Sequence, residues 1–188
     1  MKHSFVLIIL LINFFVISPA SASNVVPLNL QQLSSRATLI FYAEVISNTV
    51  KKDKQSGHIA TFTEFKIIDL IKGNTSNTHL IKQIGGRLTS SGTTLRIHGV
   101  PKFDSGKKYV VFLPEKSSIG FSSPLGLHQG SFTVSTINGE QLVSNGHNLT
   151  ELPIQSSSIQ IPLAVHADKP AHARLDDFIN TVRAYNID

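Results

Sequence analysis

Two groups of side chains have the types and spacing to do chemistry. His166, Asp168 and His172 fall within seven residues, and imidazole and carboxylate are both zinc ligands. They are the candidates for a metal-dependent or hydrolytic centre. Pro170 stands between them, so no helical i, i+4 pair is available, and the plainer alternative is three solvated side chains in a loop. The second group is basic. Arg87, Arg96, His98, Lys102, Lys107 and Lys108 lie in or beside the glycine-punctuated stretch from Gly85 to Gly106, and Lys51, Lys52 and Lys54 occupy another loop. Loops converging at one end of a domain would make of these a basic mouth for an anionic partner. Otherwise they are a solvated rim.

Other chemistry has little support. Ser105 to Lys108 fits S-x-x-K, but that motif needs its serine at the start of a helix, and here it sits on a turn entering a strand. The G-x-S-x-G elbow, the H-E-x-x-H helix and the P-loop are absent, and no carboxylate pair is spaced for two-carboxylate catalysis. The absence of cysteine excludes a disulfide framework, a thiolate metal site and a thiol nucleophile. Charged residues make up 15% of the 188, against about 25% in ordinary proteins. Only Phe103 and Phe121 lie near the basic loops, so neither a polybasic nucleic-acid surface nor a base-stacking platform is indicated. The sequence thus implies no cofactor and no catalytic residue, and it favours a binding module over an enzyme. Arg87, Arg96, His98 and Lys102 are its candidate site, and an unidentified protein or anionic ligand is the partner.

The elements that must position these residues come after an address. Lys2 and His3 precede an apolar run from Phe5 to Ile17, and Ala20-Ser21-Ala22 forms an A-x-A cleavage site. This reads as a signal peptide over residues 1–22, the run being short of the roughly 20 apolar residues that span a bilayer. The expected destination is the periplasm or the exterior. Its removal leaves 166 residues with net charge +4 and no second run of membrane length.

A short helix capped by Asn29 is expected first, then a strand over residues 38–50 with Leu39, Phe41, Ala43 and Val45 on one face. Residues 58–72 form a long strand whose apolar parity changes between Phe62 and Phe65, which suggests a β-bulge or a sharp coil there. Further strands are expected over residues 78–84, 95–98, 109–113, 125–129, 131–137 and 140–143. Asn138-Gly139 makes the hairpin between the last two. A Ser-rich extended arm follows, with alternating Ile159, Ile161, Leu163 and Val165, and a helix over residues 171–185 closes the chain.

The order of these signals resembles a family of small exported bacterial proteins of unknown function. Its shared features are a lysine-glycine strand end (Lys72-Gly73), a double-glycine loop (Gly85-Gly86), a G-x-P-x-F-x-x-G turn (Gly99 to Gly106) and an apolar strand (Tyr109 to Leu113). The first half more loosely resembles the netrin-like modules of tissue metalloproteinase inhibitors, which are OB-type barrels. Those inhibitors chelate the target's zinc through an N-terminal cysteine. This chain has none, so only the fold analogy carries over.

The expected architecture is mainly β: a small OB-like (netrin-like) β-barrel of five to seven strands, with a short N-terminal helix and a C-terminal helix. A sandwich is the alternative. The barrel would occupy residues 23–144, with residues 145–188 as arm and helix packed on the same domain.

Overall fold

A computed structural model describes residues 26–146 and 172–187. The proposed signal peptide, most of the extended arm, His166 and Asp168 lie outside the described residues. The fold is mainly β. In chain order it comprises α1 (Leu30–Arg36), β1 (Leu39–Lys52), β2 (Ile59–Lys72), β3 (Thr78–Ile84), β4 (Gly86–Arg87), β5 (Thr94–Leu95), β6 (Lys108–Leu113), a 3-10 turn (Leu127–Gly130), β7 (Ser131–Ile137), β8 (Glu140–Ser144), β9 (Ala173–Arg174) and α2 (Leu175–Ala184). Seven strands form one antiparallel sheet in the order β3-β2-β1-β6-β7-β8-β9, and β4 and β5 pair separately.

Among the described residues no strand pairing joins β3 to β9, so the sheet is open. The segment after β6 instead crosses to the outer edge of β3, where the Ser122 N–H donates to the Lys82 carbonyl at 2.9 Å. Pro114, Gly120 and Pro124 keep this segment from pairing as a strand.

The central strand β6 separates two cores. Val110 and Phe112 face one, and Tyr109, Val111 and Leu113 face the other, which accounts for the continuous apolar run. The first core lies under the helices. Asn29 caps α1 by accepting from the Gln32 N–H at 2.8 Å, and the Gln32 side chain accepts from the Asn29 N–H in return. Leu30 and Leu33 of α1 meet Leu175, Phe178, Ile179 and Val182 of α2 there, and Phe178 packs 4.7 Å from Phe132 between ring centres.

The second core gathers Leu39, Phe41, Ala43 and Val45 with Phe65, Ile81 and Phe103. The lysine-glycine strand end braces the two layers. Lys72 Nζ donates to the Ser34 carbonyl of α1 at 2.7 Å, and Gly73, at φ +83°, comes so close to the Thr38 carbonyl that a Cβ would overlap it.

Several local expectations are corrected. The bulge in this stretch carries its extra residue on β1 and not on β2: residues 62–65 pair without a break with β3, whereas against β1 the register shifts between Val45 and Ser47, opposite Phe65 and Glu64. The parity changes because both faces of β2 are covered at that point: Ala60 is buried on one side and Thr63 on the other. The unpaired residues are Ile46 in β1 and Ile68 and Ile71 in β2.

Residues 125–129 form no strand. Gly126 and Leu127 are left-handed, and a 3-10 turn follows. Strand pairing in the 95–98 stretch ends at Leu95, and Ala173–Arg174 add a short strand before α2. Lys51 and Lys52 belong to β1 rather than to a loop, and Asp53 is buried beside them.

Candidate functional site

The bulge at Ile46 builds the site. Before it, the odd residues of β1 face the second core. After it, Ser47 pairs with Glu64, and the even residues Asn48 and Val50 take over that face. Their partners across the ladder are Thr63 and Thr61, and Thr61 in turn pairs with Gln83 on β3. The inner face therefore changes from aromatic (Phe41, Phe65) to polar (Asn48, Thr63, Thr61, Gln83) within one turn of the coiled sheet.

The loops over this polar end are held by the same side chains. Asn48 Nδ2 donates to the Phe103 carbonyl at 2.7 Å, Thr63 Oγ1 donates to Asn48 Oδ1 at 2.7 Å, and Thr61 Oγ1 donates to the Gly85 carbonyl at 2.7 Å. The G-x-P-x-F-x-x-G turn is an anchor. Phe103, 5% exposed, stands edge-on to both Phe65 and Tyr109 with ring centres 5.0 Å apart. The Asp104 N–H donates to the Tyr109 hydroxyl at 3.0 Å, and burial pushes that phenol's pKa up. Gly86, at φ +134°, passes where a Cβ would lie 2.7 Å from both Thr61 Oγ1 and Val50 Cγ1, so the double glycine lets the β4 loop settle on the floor.

Between floor and loops is a cavity of about 660 Å³. Arg87, Arg96, His98 and Lys102 all line it, each exposed at its mouth. Among the described residues none of the four enters an ion pair. The carboxylate on the wall, Asp104, is held by Lys107 Nζ at 2.7 Å, and that bond raises the Lys107 pKa. The remaining cations of the basic group stand apart from the cavity. Lys51 lies 4.4 Å over the Phe62 ring, and Lys52, Lys54, Lys107 and Lys108 do not line the walls. With the cationic Arg87, Arg96 and Lys102, the His98 imidazole and one engaged acid around an apolar-walled void, the arrangement suits holding an anion. No nucleophile paired with a base lines it.

The metal candidates do not assemble within the described residues. His172 is exposed just before β9, His166 and Asp168 lie outside the described residues, and no cluster of three metal-ligating side chains occurs among those described.

Sequence reasoning missed the floor. Asn48, Thr61, Thr63 and Gln83 carry no motif, and plain alternation along β1 would put Asn48 outside, a parity that the Ile46 bulge reverses. A glutamine alternating with Ile81 on a strand was the one available signal. Also missed was a buried ion pair on the other side of β3. Lys82 Nζ lies 3.1 Å from Asp53 Oδ1 and 4.6 Å from the Phe121 ring centre. The Ser56 hydroxyl on Asp53 is the main cause holding that carboxyl below its usual range.

No family model matches the chain, and no curated protein matches it. The resemblances drawn from the sequence therefore stand on the order of its motifs.

Proposed function

We propose that this chain is a periplasmic or secreted, non-catalytic binding module that holds an anionic ligand or an acidic protein segment at the mouth formed by Arg87, Arg96, His98 and Lys102. The observation carrying this reading is that those four side chains, all from the Gly85–Gly106 loops, line one cavity with no ion pair among the described residues to occupy them. Unpaired cations beside low-dielectric apolar walls raise the local concentration of anions. In the same reading, the coiled β1–β2–β3–β6 half with its Phe103 plug corresponds to the end of an OB-like barrel, where such folds present their binding loops.

Titration of 15N-labelled protein with glutarate tests the site. The backbone amides from Gly85 to Asp104 are expected to shift, and the Arg87→Glu/Arg96→Glu double variant to lose the response. A double variant that responds as the wild type does would remove the assignment.

A further inference from the structure

The floor of the cavity holds a donor with no acceptor. Gln83 is 3% exposed, and its Nε2 has no hydrogen-bond partner. More than about 90% of buried polar groups are paired, and an unmet one costs about 1–3 kcal/mol. The neighbouring donors are committed elsewhere: Thr61 to Gly85, Thr63 to Asn48, and Asn48 to Phe103. Each of those hydroxyls still has acceptor capacity after donating. Gln83 therefore lies among groups that already anchor the loops, while its own amide anchors nothing.

We infer that the cavity takes an amide-bearing acid, an N-acylated acidic residue or the equivalent stretch of an acidic peptide, whose amide carbonyl accepts from Gln83 Nε2 while its carboxylates meet Arg87 and Arg96. The inference rests on the anion-binding reading above and deepens it. The floor favours an uncharged group because the cations sit at the exposed mouth, and a carboxylate sunk to Gln83 would lose its water without gaining a charge partner. An amide fits better than a hydroxyl. Its carbonyl meets the Gln83 donor, and its N–H meets the spare lone pairs of Thr61 or Thr63. Leu95, Ile97, Val100 and Phe103 on the walls suit the aliphatic part of such a ligand. Gln83 lines the cavity, and its terminal amide torsion is soft, so the buried Nε2 is a donor that a ligand on the floor can engage.

The experiment compares two probes that differ in the amide, N-acetylglutamate and glutarate, titrated into 15N-labelled protein. N-acetylglutamate is expected to shift both the Gly85–Asp104 amides and the Gln83 side-chain NH2 pair. Glutarate should shift the loops alone and bind about five- to tenfold more weakly, the worth of one hydrogen bond. Gln83→Leu should lower N-acetylglutamate affinity to the glutarate level and leave glutarate unchanged. Gln83→Glu, which places an acceptor where the donor was, should do so more strongly. Equal affinity for the two acids with an unmoved Gln83 NH2 pair would overturn the inference and leave the anion-binding reading standing. If neither acid moves the Gly85–Asp104 amides, both are overturned.

Discussion

The two faces of the sheet are covered in different ways, and the covering decides what each can do. On one face α1 and α2 lie over Ile40, Val110, Phe112, Phe132 and Val143. A helix satisfies most of its own backbone, so it can press an apolar stripe onto the sheet and ask little of it beyond the Lys72 bond to the Ser34 carbonyl near the end of α1. On the other face the cover is loop. The Phe103 and Gly85 carbonyls must find donors, and they find them in Asn48 and Thr61. A loop-covered core thus has to carry a run of polar side chains where the helix-covered one carries few, the Tyr42 hydroxyl and the buried Ser34 among them. Where those side chains and the loops do not fill the space, a cavity is left.

The helix-covered face should be the easier to break. Phe178 is 2% exposed and wedged against Phe112 and Phe132, so Phe178→Ala should cost about 3–5 kcal/mol, read from urea unfolding. A loss under 1 kcal/mol would mean that α2 is not the lid of this core. On the loop face the most damaging small change should be Gly86→Ala. The new Cβ meets Thr61 and Val50 at a φ of +134°, and the expected loss is about 2–3 kcal/mol, with exchange broadening in the Gly85–Asp104 amides.

The next effect depends on pH. His79 packs its ring 5.5 Å from Phe41, between ring centres, at the apolar end of the loop-covered core, with Nδ1 2.8 Å from the Thr75 hydroxyl and Nε2 unpartnered. Burial, with help from the Lys116 ammonium, lowers its pKa from 6.5 to about 4. The folded state holds the imidazole neutral, so the unfolded state binds more protons between these values. The stability this contributes is complete above pH 6.5 and is lost as the pH falls toward 4. It amounts to about 2 kcal/mol after allowance for solvent screening of the partly exposed ring. His79→Phe should flatten the pH dependence of unfolding across that window. An unchanged slope would place the linkage elsewhere.

The difference between the faces also explains what the sequence made legible. The helix-covered side was readable because its signals are local: an Asn29 cap, a 3.6-residue stripe from Leu175 to Tyr185, and an apolar run at β6. The four basic residues of the mouth were readable as a group because glycines mark their loops. The floor was not, since Asn48 reaches it only through the unpaired Ile46, and bulge positions depend on pairing across the sheet rather than on neighbours in the chain. The same limit puts the bulge expected between Phe62 and Phe65 on the partner strand, at Ile46 opposite Glu64 and Phe65, while the parity change along β2 itself reports two covered faces. Among the described residues the sheet does not close, and a related reason applies: the segment that crosses to β3 does so as a Pro- and Gly-bearing loop joined by one backbone bond at Ser122, which no strand pattern announces.

The smallest effect on stability is the one that separates scaffold from site. Arg87 and Arg96 are exposed at the cavity mouth and enter no ion pair among the described residues, so their charges hold nothing in place. Reversing both should change the unfolding free energy by no more than about 0.5 kcal/mol, the range of surface substitutions away from special features. With Arg87, Arg96 and Lys102 around one mouth, mutual repulsion should even be relieved, and any change should shrink as salt is added. A loss of 2 kcal/mol or more would show the guanidinium groups to be structural props of the loops. The two faces would then differ only in how they are built, and not in one of them being free to bind.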